Sequence, residues 1–268
     1  MTPTEHEALR LHYNPTGSAL RQLQEQLLYI LVAFDSFARQ HCVAYSIAYG
    51  TLLGAVRHKG FIPWDDDADI MMTREEWTRL QSLIGPDGRL TDEIFVKGVV
   101  HPEIHIANKG MVDIFIYDYV PHNRLQDWLK TGTCMLLSIL IKCKSRIVNR
   151  HFHRPKPWFI FLPFALPFKM QTLINLKEKA SLWFSPATIQ PTDNVCIYRT
   201  GGPRDIRVRH PYSLLLGEKV ELEFEGHRFP ATPHYDEFLK VWYGDYMQLP
   251  KRPTNLGRVT TKELCDIR

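Results

Sequence analysis

Several familiar signatures are absent from this chain of 268 residues. There is no G-x-x-x-x-G-K-[ST], no G-x-S-x-G, and no G-x-G-x-x-G after a strand pattern. P-loop, hydrolase-elbow and dinucleotide-binding readings therefore lack support. The five cysteines, Cys42, Cys134, Cys143, Cys196 and Cys265, contain no C-x-x-C pair. An odd, scattered set argues against a disulfide framework or a zinc site and for reduced thiols. "MTPTEHEALRLHYNP" at the N-terminus lacks a basic stretch followed by an apolar one, which predicts no secretory leader and a cytoplasmic chain.

Acidic residues are missing from Trp128 to Lys177, where nine Lys and Arg occur. With a net charge of +4 overall, the +9 of this window leaves −5 for the rest of the chain. Its apolar runs, "CMLLSILI" and "PWFIFLPFALPF", fall far short of the ~18 residues that mark a membrane-spanning helix. Three prolines also interrupt the second run. Two readings stand: a segment lying on an anionic membrane surface, which makes the protein peripheral on the inner face of the cell membrane, or a helical insertion with solvated lysines. Hydrophobic content of 44% and charged content of 23% are ordinary for a globular chain and exclude general disorder.

Hydrophobic periodicity organises the rest. Leu20, Leu23, Leu27, Ile30, Leu31, Phe34 and Ala38 recur at helical spacing and predict an amphipathic helix from about Ser18 to His41. "VAYSIAYG" (Val43–Gly50) reads as a strand ending at glycine, and "DADIMM" as a second strand stopped by Thr73. Thr73 with Glu76 forms a capping-box signature, predicting a helix to about Ile84. "EIHIANKG" and "MVDIFIYD" predict two strands around an Asn108-Lys109-Gly110 turn. A largely helical insertion follows, roughly 123–185, then a hairpin with Gly226 at its turn and a short helix ended by Gly244. Helices mixed with antiparallel strands, without a βαβ rhythm, predict an α+β fold.

The densest chemistry lies in "YGTLLGAVRHKGFIPWDDDADIMM", Tyr49 to Met72. Strand alternation puts Asp67 and Asp69 on one face and Ala68 and Ile70 on the other. Two such carboxylates can grip a divalent cation, and oxygen ligands suit Mg²⁺ or Mn²⁺. In "MVDIFIYD", Val112, Ile114 and Ile116 form an apolar face opposite Asp113, so Asp113 completes a three-carboxylate site if the two strands are neighbours. Arg57, His58 and Lys59 supply cations for anionic oxygens that a metal does not cover. Gly50, Gly54 and Gly60 let the backbone pass close to a ligand. The bland alternative is an ion-pair cluster between the basic trio and the aspartates. A metal held by acids, with cations on the far side of the phosphates, is the arrangement of phosphoryl transfer.

"GTLLGAVRHKGFIPWDDDADI" resembles the signature of the LicD family, the lipopolysaccharide and teichoic-acid cholinephosphotransferases. The match continues through "VDIFIYD" and "FEGHRFPATPHYDEFLKVWYGDYMQLP", and is weakest between about Arg124 and Thr192. The resemblance implies one catalytic domain over 1–268 with a nucleotidyltransferase-like core, a small mixed or antiparallel sheet with flanking helices. It implies that Gly50-Thr51 closes the first strand and that Asp67, Asp69 and Asp113 hold the metal. It further implies transfer of phosphocholine, or a related phospho-alcohol, from CDP-choline or another CDP-alcohol to a sugar hydroxyl of a cell-surface glycan or glycolipid, with release of CMP. Fukutin-related proteins, which use CDP-ribitol, look like distant members. On this reading Arg57 and Lys59 contact phosphate oxygens, His58 lies with them at the substrate, and Asp65 or Asp113 is a candidate base. Trp64 offers an aromatic face to a quaternary ammonium. No nucleic-acid partner is expected.

Three other readings share some of these residues. A GT-A glycosyltransferase uses D-x-D on a nucleotide sugar, but alternating β and α elements before that motif are missing here. A nucleotidyltransferase would use the same carboxylates and release pyrophosphate. A membrane-surface adaptor would work through the +9 window and use the aspartates structurally.

Overall fold

The computed structural model describes residues 3–85, 87–98, 102–106, 110–148 and 160–250. Its elements, in chain order, begin with α1 (Pro3–Tyr13), α2 (Ala19–Gln40), β1 (Ser46–Ile47), α3 (Tyr49–His58), β2 (Ala68–Thr73) and α4 (Arg74–Leu83). Then come β3 (Ile94–Lys97), β4 (Glu103–Ile106), β5 (Met111–Tyr119), α5 (Arg124–Val148), α6 (Leu162–Ala165) and α7 (Met170–Ser181). The last are β6 (Asn194–Cys196), β7 (His210–Pro211), α8 (Tyr212–Leu216), β8 (Val220–Phe224), β9 (His227–Ala231) and α9 (Tyr235–Tyr243). The class is α+β, as the pattern predicts. The chain forms two compact units: 1–98, 102–114 and 214–268 make the first, and 99–101 with 115–213 the second.

In the first unit the strands run in the order β1-β2-β5-β4-β3. Strands β2 and β5 are therefore neighbours, the condition on which Asp113 could join Asp69. The α2 helix is built as its sequence predicts: the Ser18 hydroxyl caps it by accepting from Arg21 N–H at 3.1 Å, and its stripe from Leu20 to Ala38 is buried. Thr73 likewise caps α4, accepting from Glu76 N–H at 3.1 Å. The β8–β9 hairpin turns through Glu225 and Gly226, both at positive φ (50° and 78°), the backbone that a tight two-residue hairpin requires.

Two expectations need correction. The strand expected over Val43–Gly50 is only Ser46–Ile47, paired to Met71 and Ile70. Ala48 is extended and the helix begins at Tyr49, so Gly50 and Thr51 open α3 rather than close a strand. Buried on almost every side, α3 has no amphipathic period for the sequence to display. Strand β3 went unrecognised. The Asn108-Lys109 part of the expected turn lies outside the described residues.

In the second unit, β6 pairs with the end of β5 (Asp118 opposite Cys196) and with β7. Helices α5 and α7 carry the core, with Cys134, Leu137 and Leu140 of α5 meeting Leu173 and Ile174 of α7. "YRTGGPRD" (Tyr198–Asp205), whose glycines and arginines read either as a surface turn or as a loop for phosphate or sugar, is drawn inward at Tyr198, Thr200 and Gly201. Gly201 C=O accepts from Lys177 Nζ at 2.8 Å and Ser138 Oγ at 3.3 Å, which satisfies a buried carbonyl. No helix among the described residues is long and apolar enough to cross a membrane.

Candidate active site

Three backbone features of the first unit gather the acids. Tyr49 enters α3 at a positive φ of 42°, held between ring contacts with Phe238 and Trp242 at 5.4 and 5.0 Å. This aims Gly50 N–H at Asp69, whose Oδ2 accepts it at 3.1 Å. In return Thr51 Oγ1 accepts from Asp69 N–H at 2.8 Å, so the start of α3 fixes both ends of Asp69. A Cβ on Gly50 would stand 2.8 Å from Asp65 Oδ2 and 3.5 Å from Asp69 Oδ2. Here, and at none of the other glycines of the motif, glycine makes room for the acids.

The acid loop is held from below by Gln24, a polar residue in the apolar stripe of α2. Its side-chain amide donates to Ile62 C=O at 3.3 Å and Asp65 C=O at 2.9 Å, while Asn14 donates to its Oε1 at 2.5 Å. Sequence reasoning missed this residue; a glutamine at helical spacing among leucines was the available signal. Gly54 and Gly60 do not approach a ligand. A Cβ on Gly54 would meet Gly60 O at 2.4 Å, and one on Gly60 would meet Glu225 Oε1 at the same distance, so both serve close packing.

The basic trio separates in the fold. Lys59 caps α3 in the left-handed region (φ 59°) and is exposed. His58 is buried, and burial together with the neighbouring Arg57 charge pushes its pKa down to about 3. It is therefore a neutral acceptor, taking Arg57 Nε–H at 2.9 Å on Nε2 and meeting His6 Nδ1 at 3.1 Å. Arg57 donates from Nη1 to Tyr246 C=O at 2.7 Å and so fastens the segment after α9 to the site.

Arg57, Trp64, Asp65, Asp67, Asp69 and Tyr243 line one cleft of about 440 Å³ with Gly50 at its base. Trp64 is wedged edge-on against Tyr13 with ring centroids 5.1 Å apart. Tyr243 is a second contribution, to which sequence reasoning gives no more than possible support of the site as one of a C-terminal cluster of aromatics. Burial, then the charges of Asp69, Asp65 and Asp67, push its phenol pKa up, so it stays protonated beside the acids. Asp245 and Tyr246 join the same wall.

The acids crowd one another. Burial first, then the Asp67, Asp113 and Asp65 charges, push Asp69 well above the usual carboxylate range. Burial and Asp67 do the same to Asp65. Ligand oxygens of Asp65, Asp66 and Asp67 also converge within 4.8 Å of one another. An all-oxygen, net-negative set whose members raise each other's pKa fits a hard divalent cation, which would relieve the repulsion.

Residues 42–134 match the model of the LicD family, described as the LicD/FKTN/FKRP nucleotidyltransferase domain. The chain is 29% identical over 264 residues to lipopolysaccharide cholinephosphotransferase LicD of Haemophilus influenzae, covering 86% of this chain and 92% of that protein. It is 29% identical over 177 residues to ribitol 5-phosphate transferase FKRP of Mus musculus, covering 64% of this chain and 33% of that protein. An uncharacterized protein of Rickettsia prowazekii is 39% identical over 74 residues, 28% of this chain and 26% of its own length. Gly50, Arg57, Trp64, Asp65, Asp67, Asp69 and Asp113 all fall inside the matched 42–134 segment. Over residues 42–134 the chain resembles a LicD-family nucleotidyltransferase domain.

Proposed function

We propose that this protein transfers a phospho-alcohol, phosphocholine or a relative of it, from a CDP-activated donor to a sugar hydroxyl of a glycan or glycolipid. The crowded carboxylates of the cleft carry this reading, supported by likeness to two transferases of phospho-alcohols. Asp67, Asp69 and Asp113 would hold Mg²⁺ or Mn²⁺, which when bound would offset negative charge on a diphosphate. Asp65 takes the proton of the acceptor hydroxyl. The hydroxyl oxygen bonds to the distal phosphorus as the bond to the bridging oxygen breaks, and CMP leaves with that electron pair. Gly50 gives the acids clearance, and Trp64 and Tyr243 offer aromatic faces to a cationic alcohol. Arg57 acts by position, holding the Tyr246 segment against the cleft. Action on the cytoplasmic face of a membrane belongs to the same proposal.

Nucleotidyl transfer is the second reading, favoured by the match of residues 42–134 to a nucleotidyltransferase domain. Thermal melts with Mg²⁺ and CDP-choline, CDP-ethanolamine, CDP-glycerol, CDP-ribitol, CTP or UDP-sugars separate the two. One CDP-alcohol should raise Tm by roughly 5 °C or more at saturation, only with Mg²⁺. Asp67→Asn, a change at an exposed position, should remove the shift. A response to CTP alone would replace transfer of the alcohol by nucleotidyl transfer, and a response to UDP-sugars alone would sink both.

A further inference from the structure

The α5 helix of the second unit is apolar on two sides, and only one of them is covered. Cys134, Leu137, Leu140 and Ile141 face the core. Leu125, Trp128 and Leu136 recur at helical spacing around Gly132 on the other side, with the half-buried Ile139, which also packs against the core, at its edge. There Trp128 is 69% exposed and Leu136 44%. A helix with a second apolar stripe left in water signals a binding surface. Trp128, Leu136 and Ile139 form one wall of a groove of about 690 Å³ that Phe161 and Met135 also line. Arg124, Arg207 and Arg209 line it too, against one acid, Asp127. Asp127 is bound to Arg209 at 3.0 Å, while Arg124 and Arg207 are exposed. An apolar trough edged by arginines matches hydrocarbon carrying an anionic head. The charge is wrong for the chain's own residues 149–159, which hold Arg150, Arg154 and Lys156 and no acid.

We propose that this groove binds a phosphate-bearing lipid presented by a membrane, with its hydrocarbon along α5 and its phosphate at Arg124 and Arg207. Binding is read without turnover, so the proposal stands or falls independently of the transferase reading.

Gly132 supplies the test. A Cβ there has no atom within 4 Å, so Gly132→Trp fills the groove without disturbing the core. Calorimetric titration of the full chain with dodecyl phosphate, below its micelle concentration, should show saturable binding. Dodecyl maltoside should bind at least about tenfold more weakly and inorganic phosphate not at all, because chain and charge are both required. Gly132→Trp and the double variant Arg124→Glu/Arg207→Glu should each weaken dodecyl phosphate binding at least about tenfold while Tm holds. Vesicles with phosphatidylglycerol, but not phosphatidylcholine alone, should pellet the wild type and leave Gly132→Trp in solution. Equal binding by Gly132→Trp, equal binding of dodecyl maltoside, or no binding by the wild type because residues 149–159 fill the groove would each overturn the proposal.

Discussion

Asp69 in the first unit and Lys177 in the second are buried to similar depth, with 7% and 4% of their surface exposed, yet their surroundings differ in kind. Around Asp69 stand more acids, and their charges resist its ionisation. Around Lys177 the charges are of both signs, Asp118 favouring its ammonium and Lys142 and Arg199 opposing it, and that ammonium reaches Gly201 C=O at 2.8 Å. Lys130 repeats the second pattern, donating to Tyr119 C=O at 2.7 Å with its ammonium 4.7 Å from the Tyr198 ring. A buried charge met by carbonyls and aromatic faces is satisfied by the fold itself. A cluster of like charges is not; it is kept at a cost to stability that an added cation would offset. Depth of burial alone would rank these residues together, while the sign of their neighbours separates site from scaffold.

The largest effect expected from that contrast is at Asp69. Asp69→Asn keeps an oxygen for Gly50 N–H and removes one charge from the crowd. Turnover should fall on the order of 10³-fold, about 4 kcal/mol of lost transition-state stabilisation. In chelator, Tm should hold or rise because repulsion is relieved. A fall in Tm of roughly 5 °C or more accompanying the lost turnover would make Asp69 scaffold like Lys177 and break the comparison.

Lys177 should behave the opposite way, through pH. Burial lowers its pKa from 10.5 to about 8, so between those values the unfolded chain binds a proton that the native chain does not. Stability then rises with pH across the window and is lost as pH falls through 8. Lys177→Met lacks this linkage, while Lys219 and the tyrosines titrate alike in both proteins. Urea unfolding from pH 7.5 to 10.5 should therefore show the wild type gaining up to about 3 kcal/mol relative to Lys177→Met. Turnover of the variant at pH 7.5 should stay within about twofold of wild type. A flat difference would mean that Lys177 is solvated, and the contrast with Asp69 would lose one arm.

How far the sequence discloses all this follows from the range of each interaction. Helices α2 and α4, the β8–β9 hairpin and α9 are legible because each is specified locally, by a stripe and by Ser18, Thr73, Gly226 or Gly244 at its end. The grouping of Asp65, Asp67 and Asp69 is legible because they share one short stretch, whereas the β-period gives only the face of Asp113 on the neighbouring strand, outside the residues that line the cleft. The roles of the cations are not. Arg57 meets a carbonyl 189 positions away, and His58 loses its charge to burial that no local pattern announces. Gln24 shows locally as a polar break in an apolar stripe, but its partners, 38 and 41 positions along the chain, do not. Helix α3 is misread because a segment covered on all sides has no period to display.

The smallest effects come from two glycines that a helix should want replaced. Within a helix, alanine is favoured over glycine by up to about 1 kcal/mol, so Gly54→Ala in α3 and Gly132→Ala in α5 share one local term. Their surroundings do not match. At Gly54 the new methyl would sit 2.4 Å from Gly60 C=O and 3.3 Å from the Phe224 ring, a backbone contact that cannot swing aside. Overpacking there should outweigh the helical gain and leave a net loss of about 2 kcal/mol. At Gly132 the methyl meets no atom within 4 Å, and a net gain of up to about 1 kcal/mol should remain. Urea midpoints of the two variants should thus move in opposite directions. A gain at both would mean that α3 can back away from Gly60, and the rigidity that aims Gly50 N–H at Asp69 would need another source. A loss at Gly132 would mean that its side of α5 is already covered.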